Sequence, residues 1–175
     1  MLDLAKAAKN AIQLEKKGYD IYRNGAAKTS NVLGKYTLEM IAKKELDHIK
    51  AIEEFMEGIA GHPAALDKAT SDINPKEKID YVKPIMDKLA GQLKTKVSPD
   101  PDLRAVYETA LSLETDSFNL YKKLSSDAGE PKVKKFFEFL MGEENLHYEL
   151  LQDTLKYLDD PAEWFKEQER WIVEG

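Results

Sequence analysis

Cysteine is absent from the 175-residue chain. Disulfides, thiolate zinc sites and iron–sulfur clusters are therefore ruled out for these residues. Long apolar runs are missing too: no stretch approaches the roughly 18 residues that a membrane-spanning helix requires. The amino terminus, Met1 to Lys6, has no signal-peptide core, and a cytoplasmic protein is expected. Positive charge is also short, since the formal net charge is −6, which disfavours a nucleic-acid partner. Histidine is scarce, with three in the chain. Two of them, His48 and His147, each follow a glutamate by three positions, and there the chain becomes informative.

The first of these glutamates lies in Leu38–Phe55. Apolar residues Ile41, Ile52, Phe55 and Ile59 recur at the three-and-four spacing of a buried helical stripe, and Glu45 and His48 interrupt it. A carboxylate and an imidazole three residues apart lie side by side on one helical face. Unpaired in a core, they would cost several kcal/mol, on the order of the penalty for buried charge. Something must compensate them, and a metal ion is the simplest candidate.

The arrangement recurs 99 residues later. In the stripe Phe137, Leu140, Leu151, Leu155 and Leu158, the interrupting residues are Glu144 and His147. The same offset pairs Glu15 with Glu114, Tyr19 with Phe118 and Tyr22 with Tyr121. The chain therefore reads as a duplicated helical hairpin, and each copy contributes one glutamate and one Glu-x-x-His.

At 42% apolar content the chain can bury one core, and a single domain over residues 1–175 is expected. The first hairpin is placed at 3–58, with Asp3 as cap and Asn24-Gly25 as the stop of its first helix. Ser30 lies midway between Glu15 and Glu45, so folding the hairpin about it puts both carboxylates at one height. A crossover at 59–101 includes a helical periodicity from Pro75 to Leu93, interrupted by Pro84 and Gly91. Its length allows the third helix to start at the far end of the bundle. The second hairpin spans 102–158, opened by Asp100-Pro101 and turning at Asp127–Pro131. A short helix at 161–172 carries Trp164, Phe165 and Trp171, which need a surface at the bundle end or on a partner. The fold class is all-α: a ferritin-like four-helix bundle of two duplicated hairpins joined by a long crossover, plus a short C-terminal helix.

Glu15, Glu45, His48, Glu114, Glu144 and His147 thus converge from four helices. Two single glutamates plus two Glu-x-x-His units are the ligand set of di-iron and di-manganese carboxylate bundles. Four carboxylates balance the charge of two divalent cations, whereas an empty site would hold four repelling groups. Most helical glutamates face water, but these six residues all fall on apolar stripes. Two iron ions are the expected cofactors; manganese or zinc also accepts such ligands. Tyr22 and Tyr121, two turns beyond Glu15 and Glu114, are placed to hydrogen-bond a ligand carboxylate or simply to fill the core. Gly18 and Ser117 are read mainly as helix-packing residues, His62 as solvated, and Lys43, Lys44 and Asp47 as an exposed face.

At Leu14-Glu15 with Tyr22, Glu45-Leu-Asp-His48, Leu113-Glu114 with Tyr121, and Glu144-Asn-Leu-His147, the chain resembles the rubrerythrin-like branch of the ferritin-like superfamily. The tail Tyr157-Leu-Asp-Asp-Pro-Ala-Glu-Trp164-Phe165 is similar to those of small rubrerythrin-related proteins. The resemblance covers both hairpins and leaves 60–100 unmatched. It implies a carboxylate-bridged di-iron centre, an oxidoreductase acting on hydrogen peroxide or dioxygen, and a homodimer. The chain departs from the family in two ways. It has no four-cysteine iron site, so electrons are expected from an external donor protein. Ser117 also stands where rubrerythrins carry a further glutamate. Non-catalytic iron sequestration, or a metal serving as a structural staple, is the alternative reading.

Overall fold

Asp3 accepts a hydrogen bond from the Lys6 amide at 3.0 Å and starts the first helix, as its side chain and position predict. The computed structural model describes residues 2–61, 101–164 and 166–167. Within them, α1 spans Leu4–Lys28, α2 Val32–Ile59, α3 Pro101–Asp127 and α4 Pro131–Asp159. Asn31 caps α2 by accepting from the Gly34 amide at 2.8 Å, and Pro131 opens α4, where its missing N–H costs nothing. Beyond α2, Gly61 takes φ +116°, a left-handed conformation that favours glycine. The regular structure among the described residues is entirely helical, with no strand, so the architecture is an all-α bundle.

Side-chain pairs fix the directions. Tyr22 reaches Glu114 and Tyr121 reaches Glu15, so α1 and α3 are antiparallel. Thr37 meets Thr154 at 3.2 Å and Phe55 stacks on Phe136 at 4.1 Å, so α2 and α4 are antiparallel as well. With α1–α2 and α3–α4 each a tight hairpin, α2 and α3 run the same way. The Tyr107 hydroxyl, near the start of α3, donates to the Gly34 carbonyl near the start of α2 at 2.9 Å. Hence α3 begins at the end of the bundle opposite to where α2 stops, as the crossover length allows. The crossover itself, its expected helix and His62 lie outside the described residues.

Two apolar clusters fill the bundle. One gathers Ala8, Ala11, Phe55, Tyr121, Phe136, Phe137 and Leu140; the other gathers Tyr22, Leu38, Ile41, Leu103, Tyr107 and Leu151. The duplication breaks between them: at the offset that relates the halves, the Phe55–Phe136 stack corresponds to the Thr154–Thr37 hydroxyl pair. A smaller cluster joins Trp164 to Leu33 and Tyr157. Trp164 thus docks on the bundle end, one of the two surfaces considered for it. Residues 161–164 and 166–167 are helical, while Phe165 and Trp171 lie outside the described residues.

The first helix does not stop at Asn24-Gly25; it continues to Lys28. The glycine serves helix packing instead. A Cβ at Gly25 would stand 2.6 Å from Val106 Cγ1 and 3.1 Å from Leu38 Cδ1, so its absence lets α1 approach α3. Gly25→Ala should therefore destabilise the protein by about 1–3 kcal/mol through overpacking, partly offset by roughly 1 kcal/mol of better helix propensity. Adding Val106→Ala should recover much of the loss. Thermal melts of the single and double variants measure this, and a Gly25→Ala protein as stable as its parent would refute the packing role.

Candidate metal centre

Each of the six stripe-interrupting residues is carried inward by the periodicity of its own helix. Glu15, Glu45, His48, Glu114, Glu144 and His147 are all buried, none more than 3% exposed. They meet at one level, between the two apolar clusters. The imidazoles of His48 and His147 lie face to face, with centroids 5.3 Å apart and planes 18° from parallel. His48 Nδ1 is 3.1 Å from Glu15 Oε2 and 3.1 Å from Glu144 Oε1. His147 Nδ1 is 3.2 Å from Glu45 Oε1, 3.7 Å from Glu114 Oε1 and 3.8 Å from Glu144 Oε2. In both rings Nδ1 faces the carboxylates.

Two overlapping groups of potential ligand atoms result. One comprises Glu15, Glu45, His48 and Glu144, the other Glu45, Glu114, Glu144 and His147, with the atoms of each within 4.8 Å of one another. Glu45 and Glu144 belong to both, whereas each single glutamate and each histidine belongs to one. The donor set fits divalent iron, manganese or zinc. Orphaned atoms support that fit: Glu45 Oε1, Glu114 Oε2, both oxygens of Glu144, Nε2 of His48 and both nitrogens of His147 are buried with no hydrogen-bond partner in the protein. Buried polar atoms are rarely left so. A buried carboxylate–histidine cluster suited to a di-metal centre is the plain description of the site.

Electrostatics divides the carboxylates into two kinds. Burial first, then repulsion from Glu15 and the other acids, pushes Glu45 and Glu144 well above the ordinary carboxylate value. Burial also raises Glu15 and Glu114, but favourable partners outweigh it. For Glu15 these are Glu45, His48 and Tyr121, which bring it down to about 2. For Glu114 they are His147, Glu144 and Tyr22, and it too falls below the ordinary range. Burial lowers His48, yet Glu143, Glu144 and Glu15 reverse this and raise it well above a free imidazole.

The tyrosines serve the opposite hairpin from their own. Tyr22 donates to Glu114 Oε1 and Tyr121 to Glu15 Oε1. Burial, then the carboxylates, raises both phenols far above 10, so they keep their protons and act as donors. Each single glutamate is thus gripped by a phenol on one oxygen, and its orientation is set. Gly18 makes room for Glu45: a Cβ there would lie 3.1 Å from Glu45 Oε2. Ser117, its counterpart in the duplication, is also buried.

Sequence reasoning missed Glu143. It is 5% exposed, and its Oε2 lies 3.9 Å from Nε2 of His48. It stands at the three-and-four spacing of Phe136, Leu140, His147 and Leu150, so a periodicity signal was present, but the neighbouring stripe through Phe137 and Glu144 drew the attention. Its counterpart by the 99-residue offset is Lys44, so the duplication gave no hint of an acid there. Lys43 and Asp47 are exposed as expected, but Lys44 is half-buried; burial raises Glu143, yet His48 above all, then His147 and last the Lys44 charge hold it below the ordinary carboxylate range.

A cavity of about 260 Å³ lined by Glu114, Thr115, Phe118, Glu144, Asn145 and Tyr148 lies between α3 and α4. Two centre residues therefore border a space large enough for small molecules.

The family model described as Rubrerythrin matches residues 59–155 of this chain. That span holds the second hairpin as far as Leu155 together with the crossover, and excludes the first hairpin; the likeness expected on both hairpins, with 60–100 left out, is thus distributed differently. No curated protein and no solved structure gives a match.

Proposed function

Since this chain belongs to the rubrerythrin family, we propose that its centre binds two iron ions and reduces hydrogen peroxide or dioxygen with electrons from a separate donor protein. The observation that carries the reading is the pair of ligand groups sharing Glu45 and Glu144. Glu15 and His48 would hold one ion and Glu114 and His147 the other, with Glu45 and Glu144 available to both. Bound ferrous iron would supply two electrons, one from each ion, so that one peroxide and two protons yield two waters.

The protein's part is geometry and exclusion. Apolar clusters above and below keep bulk water from the centre, which strengthens every electrostatic contact inside. Tyr22 and Tyr121 hold the outer carboxylates in place. The cavity beside Glu114 and Glu144 offers an oxidant as small as dioxygen or hydrogen peroxide a route between α3 and α4. These residues contain no cysteine, so a four-cysteine electron-transfer iron cannot be built from them, and the donor must lie outside them.

Stopped-flow absorption tests the proposal. Protein loaded anaerobically with two ferrous ions per chain is mixed with one equivalent of peroxide. The expected result is a near-ultraviolet ferric band that forms faster than free ferrous iron oxidises and saturates at one peroxide per iron pair. Ferric formation no faster than in protein-free controls would refute peroxide reduction, and the same trace with dissolved dioxygen ranks the two oxidants.

A further inference from the structure

The two halves of the centre are related by the 99-residue offset in every ligand and in both tyrosines, but not at the outer nitrogens of the histidines. In both rings Nδ1 faces the carboxylate cluster. A ligand imidazole bound through Nδ1 carries its proton on Nε2 and needs an acceptor there. Nε2 of His48 faces Glu143 Oε2 at 3.9 Å, and that carboxylate side chain is 7% exposed. The His147 ion pairs run through Nδ1, and no carboxylate is seen to face its Nε2 as Glu143 faces that of His48; neither Nε2 has a hydrogen-bond partner in the structure. The residue that the duplication places where Glu143 would serve His147 is Lys44, which has donors only.

We infer that Glu143 is a positioning residue for His48 that makes the two metal positions unequal, the ion held by Glu15 and His48 binding more tightly than the one held by Glu114 and His147. This rests on the di-metal reading of the centre. At 3.9 Å the carboxylate is about 1 Å beyond a hydrogen bond, a distance that a small rotation of either side chain closes once a metal fixes Nδ1. The Nε2–H would then donate to a buried carboxylate, fixing the ring's orientation and raising the basicity of Nδ1 toward the metal. Contacts of this outer kind change metal affinity by roughly 10–100-fold. His147 has no such support, so the centre fills in order: the His48 position first, the His147 position second.

Zinc is the probe, because it is redox-inert and diamagnetic. Metal-free full-length protein is titrated with zinc by calorimetry, and the ring N–H signals of both histidines are followed by nitrogen-edited NMR. Wild type should bind two equivalents in two steps separated by about tenfold or more, with the His48 ring signals changing in the first. Once zinc is bound, His48 should show a downfield, slowly exchanging Nε2–H. Glu143→Ala should weaken the first step by about 10-fold or more and merge it with the second, and the His48 Nε2–H should lose its protection while His147 is unchanged. Glu143→Gln keeps an uncharged acceptor and should fall between the two, because hydrogen bonds to ionised acceptors are roughly twice as strong as neutral ones.

If Glu143 acted only as a negative charge attracting cations, the Ala and Gln variants would match and both steps would weaken together. That result overturns the inference, as does a wild-type titration with two indistinguishable steps. Two equal equivalents would leave the metal centre standing and reject only the inequality. No zinc uptake by the folded protein would reject both. Glu143 is not among the six grouped ligand residues, and thermal melts of the metal-free variants establish that they are folded before titration.

Discussion

Two equivalents of a divalent metal are expected to raise the melting temperature of the metal-free protein by roughly 10–20 °C. Free metal at a hundred times the dissociation constant adds about 2.7 kcal/mol per site, and each kcal/mol shifts the melting temperature by about 2–4 °C in a chain of this size. The pH dependence should change sign with metal. In the metal-free protein, Glu45 and Glu144 are raised well above 4.5 by burial first and then by neighbouring carboxylates. His48 is raised above 6.5 because Glu143, Glu144 and Glu15 overcome the opposing effect of burial. All three hold protons more firmly folded than unfolded. Their contribution is present below the unfolded values and is lost as pH rises through the folded ones, so metal-free stability should decline from about pH 5 to pH 8.

Glu15 and Glu114 act in the other direction, but only below 4.5. Their depressed values give stability that is present above 4.5 and is lost as pH falls through the folded values, about 2 for Glu15 and below the ordinary range for Glu114. With metal bound, the ligands must be deprotonated, so binding releases protons and strengthens as pH rises. Melts of chelated and loaded protein at pH 5 and pH 8 should therefore cross-compare with opposite slopes. Slopes of the same sign, or a melting temperature indifferent to metal, would refute the centre as a metal site.

The second large effect concerns which carboxylates are shared. Wild type should retain about two metals per chain after equilibrium dialysis, since two ligand groups are present. Glu15→Gln removes a ligand from one group only and should leave about one. Glu45→Gln or Glu144→Gln removes a ligand from both groups and should leave close to none at the same free metal concentration. Losing one charged partner in a buried cluster costs on the order of 3–5 kcal/mol, more than a hundredfold in affinity. Elemental analysis gives the counts directly. If Glu15→Gln and Glu144→Gln lost the same amount of metal, the sharing drawn from the geometry would be wrong.

The duplication carried most of what could be read in advance. Glu45, His48, Glu144 and His147 were conspicuous because each replaces an apolar residue in a periodic stripe, and a helix obliges every member of a stripe to face the same way. Glu15 and Glu114 followed from the 30-residue spacing about the middle of each hairpin. Gly25 was misjudged because a glycine near a helix end looks the same whether it ends the helix or admits a neighbour. Only the position of Val106 across the interface distinguishes the two. Glu143 escaped although it shares a helical stripe with Phe136, Leu140, His147 and Leu150: two adjacent stripes run along α4, and only the packing of α2 against α4 shows that both are covered.

The sequence by itself determined four helices, their inward faces and the six residues that gather at one level, because helical periodicity and a repeated spacing are properties of a single chain read along its length. The tertiary structure alone decided that α2 and α3 run the same way and that each tyrosine serves the opposite hairpin. It alone also decided that Glu45 and Glu144 are the shared carboxylates, and that Glu143 stands behind one histidine and not the other. Those are relations between helices far apart in sequence, and they exist only once packing has chosen the neighbours.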